Sequence, residues 1–475
     1  MASLDMRAWI DRVRDMNQLE DVRGADWDLE VGAVAAMVHA ENPRRPAILF
    51  DHLEGYPPGY RVLTGISSSL PRLAMTLGLP IGLTPVETAR NWRAKSNSLV
   101  PIPPRFVSSG PVLENVHTGE DINLFEFPAP KWHEHDGGRY IGTGGVVITR
   151  DPDEGWVNLG TYRVMIQDER TLTVYTSPGK HALIHREKFF SCGKPCPVVI
   201  CFGQHPLFFL AGMSEVPWGL SEYDYAGAIC GEAIEVVKGQ VTGLPIPAYA
   251  EIAVEGEILP GDTRLEGPFG EALGYYASGE HREPTVVVHR VLHRDDPIIC
   301  GVPPSRPPNE ETFARTIMKS AMIWDEVEKA GIPEIAGVWC HEIGIARLFN
   351  VISIKQRYPG HAKQAALSAL SCHAGAYMAR FIVVVDEDID PSNLNDVMWA
   401  VTTRADPERS IDIVRRCWSG PLDAAIPKDQ RGFNSVAVID ACKPYEWIKD
   451  FPRTVDTSPA LRARVREKFG PDIFR

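Results

Sequence analysis

Met6, Trp9, Ile10, Val13 and Met16 recur at helical spacing, with Asp5, Asp11 and Asp15 among them. The pattern predicts an amphipathic first helix. Stretches 31–41 and 69–78 repeat the helical period, and the short apolar run 47–50 reads as a strand. The first part of the chain is therefore expected to be a small α/β unit. From about 110 onward the pattern changes. Runs 145–150, 161–167, 171–175, 197–202, 252–258 and 285–292 are short, rich in β-branched residues and separated by turn residues. They predict a sheet or barrel. One helix is expected inside it, about 222–235, with Ala226, Ile229, Ala233 and Ile234 on one face. Beyond 306 the pattern alternates: a helix near 310–330, a strand at 335–340, a helix near 361–377 and a strand at 381–385. Stretch 394–403 and the strand-like run 435–439 follow. Helices alternating with strands predict an α/β layer. Stretch 458–469 reads as a charged terminal helix.

Two proline-rich breaks separate these regions, Pro101-Ile-Pro-Pro104 (extended by Ser108-Ser-Gly-Pro111) and Val302-Pro-Pro-Ser-Arg-Pro-Pro308. Proline removes backbone donors and interrupts helix and central strand alike. The expected domains are 1–105, 106–305 and 306–475, in a mixed α/β (α+β) chain.

Composition narrows the possible partners. The 475 residues carry 49 Lys and Arg against 62 Asp and Glu, a net charge of −13. Such a surface repels phosphate backbones and anionic lipid, so no nucleic-acid or membrane-surface role is expected. It leaves room for a local basic pocket. No window approaches the roughly 18–20 apolar residues of a membrane span, and the acidic residues near Met1 interrupt any secretory core. Nine cysteines, with no CxxC pair, read mostly as buried thiols of a protein in the reducing cytoplasm.

Several motifs fail on inspection. Gly142-Thr-Gly-Gly145 lacks the third glycine spacing of a dinucleotide fingerprint and precedes a strand. Ser177-Pro-Gly-Lys180-His181 lacks the upstream glycine and the hydroxyl of a phosphate loop. No GxSxG elbow occurs. His133-Glu-His135-Asp136 reads as a solvated polar turn, and His361 as a structural residue at a helix start.

What remains is a constellation in the middle of the chain: Trp156-Val-Asn158-Leu-Gly-Thr-Tyr-Arg163, Gly179-Lys-His181, Ser221-Glu222 and Glu266-Gly-Pro-Phe-Gly-Glu271. Asn, His and Glu offer an amide oxygen, an imidazole nitrogen and a carboxylate, a mix that suits Mn²⁺ better than zinc. Arg163 can clamp a carboxylate with two donors. Glu266 and Glu271 flank a Gly-Pro turn and can enter one cleft, where mutual repulsion raises one pKa toward that of a proton donor. Taken alone, Arg163 and Glu266 read equally as a buried structural ion pair, and Glu222 as a carboxylate at a helix N-terminus.

In order and spacing, these segments resemble the UbiD-type decarboxylases, which use prenylated flavin mononucleotide. The resemblance also takes in Tyr225-Ala-Gly-Ala, Gly231-Glu-Ala-Ile-Glu-Val-Val-Lys238, Tyr358-Pro-Gly-His-Ala-Lys363 and Val383-Val-Val-Asp386-Glu-Asp-Ile-Asp-Pro391. It implies a three-part fold whose central domain is a flavin-binding split β-barrel and whose terminal helix oligomerises. It places a divalent metal, usually Mn²⁺, on Asn158, His181 and Glu222, and a Glu–Arg–Glu network on Glu266, Arg163 and Glu271. The segment Asn158, Leu159, Gly160, Thr161, Tyr162 and Arg163, with Lys180 and His181, would wrap the cofactor. Arg380 stands where the family often has a phosphate-binding Lys, Lys180 stands where some members have Gln, and 211–214 is the region of a potassium ion.

The implied activity is reversible decarboxylation of an aromatic or heteroaromatic acid, releasing CO₂, with proton delivery by Glu271. A cinnamate-like or polyprenyl-hydroxybenzoate substrate is the near alternative. A non-catalytic flavin-binding subunit is the distant one, and a metal hydrolase leaves Arg380 and the DxDIDP segment unexplained. The implied partners are a flavin prenyltransferase that supplies the cofactor and further copies of the chain, in a homodimer or homohexamer.

Overall fold

The computed structural model describes residues 4–470 and 473. The first helix is Met6–Asp15, and Met6, Trp9, Ile10 and Val13 form its buried face. Asp5 caps it by accepting the Arg7 N–H at 2.8 Å. Helix Glu30–Glu41 and strands Leu19–Arg23, Ala47–Asp51 and Arg61–Thr64 follow. The fourth strand of this first sheet comes from far down the chain. Ile298–Cys300 pairs in parallel with Arg61–Thr64.

The central sheet runs, edge to edge, Tyr140–Gly142, Arg163–Ile166, Thr171–Tyr175, His281–His293, Ile252–Glu266, Cys196–Gly203, Val146–Arg150 and Val157–Gly160. Its pairings are antiparallel. Asn115–Thr118 adds to the far half of His281–His293. The order contains its own proof of curvature. Val157–Gly160 lies on one edge and Arg163–Ile166 next to the opposite edge, yet only Thr161 and Tyr162 join them. Three Cα–Cα steps reach at most about 11 Å, so the sheet curls until its edges nearly meet. This is the split barrel, and the closing segment is 158–163.

Two sequence readings are corrected here. The helix read as 222–235 ends at Cys230, because Gly231 takes φ +79° as its left-handed cap. Ile234 is buried outside the helix, just before the strand Glu235–Lys238. The helix read as 361–377 breaks at Cys372 into His361–Ser371 and His373–Ala376.

The C-terminal sheet runs Ile335–Cys340, Phe349–Ile354, Phe381–Asp386, Phe433–Asp440 and Ile411–Trp418, with the central three parallel. Helices Glu310–Lys329 and His361–Ser371 pack on one face and Leu394–Arg404 on the other. His361 starts its helix and is buried, with its ring nitrogen 3.1 Å from the Pro333 carbonyl. The last helix, Pro459–Phe469, buries no residue in the protomer. Among the described residues no helix is long and apolar enough to cross a membrane. All nine cysteines are unpaired, and five of them are buried.

Candidate active site

The closing segment carries the site. Val157–Gly160 is held against Val146–Arg150 in a register that sets Asn158 opposite Thr149. Asn158 is buried, and its side-chain Nδ2 has no hydrogen-bond partner among the described residues. The next residue, Leu159, donates its N–H to Glu222 Oε2 at 2.7 Å. A Cβ at Gly160 would sit 2.5 Å from the Tyr162 hydroxyl, so a larger residue would displace that ring.

Glu222 opens the helix Glu222–Cys230 behind the cap Ser221, whose side chain accepts from Tyr223 N–H. The carboxylate is 4 % exposed. Burial pushes its pKa up to about 7, and the Leu159 N–H only partly opposes that. Burial raises the Tyr162 hydroxyl, and the nearby charge of Glu222 raises it further. His181 opens another helix, His181–Ser191, and both helices pack on Val157–Gly160. The imidazole stands edge-on to Trp156 and Trp218, each at 5.2 Å between ring centres. The three residues expected to hold a metal are thus gathered around one strand.

The other half of the site is built on Arg163. Its Nε and Nη2 donate to Glu266 Oε1 and Oε2 at 2.8 and 2.7 Å, and its Nη1 donates to Glu271 Oε1 at 2.8 Å. Tyr140 donates to Glu266 Oε1 at 2.9 Å, and Ser278 to Glu271 Oε1 at 2.7 Å. The guanidinium lies 4.2 Å from the Tyr175 ring centre. Burial disfavours the charge on Arg163, but the bonds and charge of Glu266, then the charge of Glu271, outweigh it and raise the pKa. Glu266 has no exposed side-chain surface, whereas Glu271 retains 12 %.

A tightly packed turn joins the two carboxylates. Gly267 adopts φ +88°, and a Cβ there would lie 2.6 Å from the Gly279 carbonyl. The turn at 133–136 is solvated at Glu134 and His135, as read, but its end at Asp136 is buried against the Gly267 turn. Asp136 is buried and accepts from His133 N–H at 3.0 Å and Tyr276 Oη at 3.2 Å, and Gly137 abuts the Gly267 carbonyl.

A cationic group flanks Lys180. Lys180 is exposed, yet desolvation by the surrounding protein lowers its pKa, and the charges of Arg315 and Arg347 lower it further. Arg347 is pushed down to about 10 by burial and by Arg315. Lys319 donates to Glu215 at 2.8 Å, and Arg347 lies 3.7 Å from the same carboxylate. Burial opposes the charge on Glu215, yet Lys319 and its neighbours hold the pKa at about 2. Sequence reasoning missed Arg315, Lys319 and Arg347. The one signal was the i, i+4 spacing of Arg315 and Lys319, which puts both on one helix face. Arg380, expected at this place, instead donates to both Asp423 oxygens at 2.8 and 2.7 Å, so its charge is already answered. Residues 211–214 close the helix Pro206–Gly212. The Ala211 carbonyl accepts Ser214 N–H at 3.0 Å and also faces the Met213 N–H.

Comparison with known proteins gives the family. The N-terminal, Rift-related and C-terminal domains of 3-octaprenyl-4-hydroxybenzoate carboxy-lyase match residues 10–91, 105–307 and 312–441. The pyrrole-2-carboxylic acid decarboxylase of Pseudomonas aeruginosa is 37% identical over 98% of both chains. The open form of the vanillic acid decarboxylase of Sedimentibacter hydroxybenzoicus superposes with a TM-score of 0.87 at 28% identity, covering 99% of this chain and 100% of that one. An evolved dimeric form of the UbiD-class enzyme HmfF from Pelotomaculum thermopropionicum, in complex with prFMN, gives 0.82 at 29% identity over 97% and 98%. With all three of its domains matched in order and a relative aligned end to end, the chain belongs to the UbiD family of carboxy-lyases.

Proposed function

We propose that this chain is a non-oxidative, reversible decarboxylase of an aromatic or heteroaromatic carboxylic acid that works with prenylated FMN. The observation that carries the reading is an arginine clamped between two carboxylates of unequal exposure, Glu266 sealed and Glu271 reachable. A non-catalytic flavin-binding subunit would have no need of this arrangement.

The residues suit the cofactor. Glu222 is a buried carboxylate with no cation beside it, and Asn158, whose amide oxygen would be the ligand atom, is buried on the strand whose next N–H bonds that carboxylate. Together with His181 they would hold a divalent ion such as Mn²⁺. Lys180 would answer a phosphate charge, with Arg315, Lys319 and Arg347 behind it, the first shared with Glu311 and the other two with Glu215. Leu159, Gly160, Thr161 and Tyr162 would line the cofactor, and the 211–214 carbonyls would take K⁺. When bound, the modified flavin supplies the electron sink that loss of CO₂ requires.

The protein's own share follows from donor arithmetic. A guanidinium has five N–H groups, and three of those on Arg163 are taken by Glu266 and Glu271. One N–H on each Nη remains to grip the substrate carboxylate. Glu266 fixes the clamp. Glu271 uses only Oε1 for Arg163 and Ser278, which leaves Oε2 to carry the proton delivered to the carbon that loses CO₂.

The relative named for pyrrole-2-carboxylic acid supports starting a substrate panel at five-membered heteroaromatic acids. The helix Pro459–Phe469, which buries no residue in the protomer, supports assembly as a homodimer or homohexamer. The unpaired cysteines support a reducing compartment, the cytoplasm. The test is co-expression with a flavin prenyltransferase, followed by CO₂ release across ring acids, cinnamates and polyprenyl-hydroxybenzoates. Turnover of a ring acid only after co-expression is expected. A loaded enzyme that releases no CO₂ from any of them would overturn the reading.

A further inference from the structure

A second cluster lies at the opposite end of the strand that passes the site. His281, at one end of His281–His293, pairs with Glu266, whereas His293, at the other, is held in register between Ile252 and Asn115. His293 is 3 % exposed. Its Nδ1 lies 2.8 Å from the Arg294 carbonyl, a contact that places the proton on Nδ1. The lone pair of Nε2 then points away, and Nε2 is buried with no hydrogen-bond partner among the described residues. Phe127 stacks edge-on to this ring at 5.4 Å between centres.

His117, on the neighbouring strand Asn115–Thr118, sets its ring 5.1 Å from that of His293 at a near-right angle. Glu126 closes the short turn Leu124–Glu126. His117 Nδ1 and Glu126 Oε1 are 3.2 Å apart. Both atoms are buried, and apart from this mutual ion-pair contact neither has a hydrogen-bond partner among the described residues. A nitrogen and an oxygen, each about 2.0–2.1 Å from a tetrahedral ion, are about 3.3 Å apart. That pair therefore already stands at ligand spacing. One ligand atom from each of the three residues lies within 4.8 Å of the other two.

We propose that His117, Glu126 and His293 form a second metal site, for a zinc-type divalent ion, that clips residues 115–126 to the end of the long central strand. Two imidazoles and one carboxylate are a three-ligand zinc set. His293 has its far nitrogen fixed on a carbonyl, as zinc-binding histidines commonly do. His117 and Glu126 keep 28% and 20% side-chain exposure, so water can complete the fourth position. Binding requires the three ligand atoms, now within 4.8 Å of one another, to draw together around the preset pair. The site shares no residue with the flavin end of the barrel.

The full-length chain, stripped with chelator, is titrated with Zn²⁺ alone, and with Co²⁺ as a coloured substitute. Glu222→Gln serves as the background, because it disables the other proposed metal site. One equivalent of Zn²⁺ is expected to bind, with four-coordinate Co²⁺ absorption and a higher melting temperature. Adding His117→Ala or Glu126→Gln should weaken binding by at least about tenfold and abolish the thermal shift, with the metal-free melting temperature as the folding control. If the Glu222→Gln protein binds no Zn²⁺, or binds it equally well without His117 and Glu126, the site does not exist. Where a variant fails to fold, anomalous scattering from Zn²⁺-soaked crystals of the unsubstituted chain decides. An ion absent from these three side chains, or present elsewhere only, overturns the proposal.

Discussion

The two ends of segment 158–163 are organised in opposite ways. At Arg163 charges meet charges: both neighbouring carboxylates are bonded, and Tyr140 and Ser278 brace them. At Asn158 the polar groups are left open, with an amide Nδ2 that has no partner among the described residues and a buried carboxylate at Glu222 that no cation faces. A closed network is preorganised by the chain alone and costs no rearrangement when the reaction occurs. An open one is stable only once something else fills it. The comparison teaches that rate and cofactor occupancy should be separable by mutation.

Substituting Arg163→Ala should break the closed end most severely. Glu266 would remain fully buried without its cation, a loss of about 3–5 kcal/mol, and substrate carboxylate capture would go with it. Thermal unfolding and KM should both change. Undiminished stability would mean that the pair is not the strut described. Next in size, Glu271→Gln should lower turnover by 10²–10⁴-fold, about 3–5 kcal/mol of barrier. Flavin and metal should be retained, and substrate-carbon exchange with D₂O should collapse in parallel. Near-normal turnover at full occupancy would move the proton source elsewhere.

His181→Ala acts at the open end. Metal affinity should fall at least about tenfold, and native mass spectrometry should show lost flavin and metal while the remaining loaded fraction turns over. Unchanged occupancy would remove His181 from the ligand set. The smallest effect lies outside both ends. Burial, with Arg45 and Arg72, lowers His39 to about 4. Its folded pKa is below the ordinary 6.5, so its contribution is complete above 6.5 and is lost as pH falls from 6.5 toward 4. The unsubstituted protein should lose on the order of 2 kcal/mol from this group between pH 7 and 5, and His39→Gln should lose less. Equal acid sensitivity would shift the cause to other groups.

The closed end was the more legible in the sequence, because its members lie in compact motifs around one turn. Even there the strands were read too short. The run read as 252–258 bulges after Ile258 and continues to Glu266, which is how that carboxylate reaches Arg163. The helix at 222 was overextended because Ala233 and Ile234 keep its period beyond Gly231. At the open end, Asn158, His181 and Glu222 were legible one by one. The cations around Lys180 were not, since Arg315, Lys319 and Arg347 arrive from the C-terminal region through packing that no local pattern encodes.

The strand Ile298–Cys300, which completes the first sheet beside Arg61–Thr64, has a consequence for the birth of the molecule. The N-terminal unit emerges from the ribosome first but lacks an edge until residues 65–297 have been made. At 5–20 residues per second that wait is roughly ten to fifty seconds, during which Arg61–Thr64 offers unpaired backbone to any passing strand. Synthesis order and folding order are therefore uncoupled, and the N-terminal region cannot be excised as an independent unit with its sheet intact.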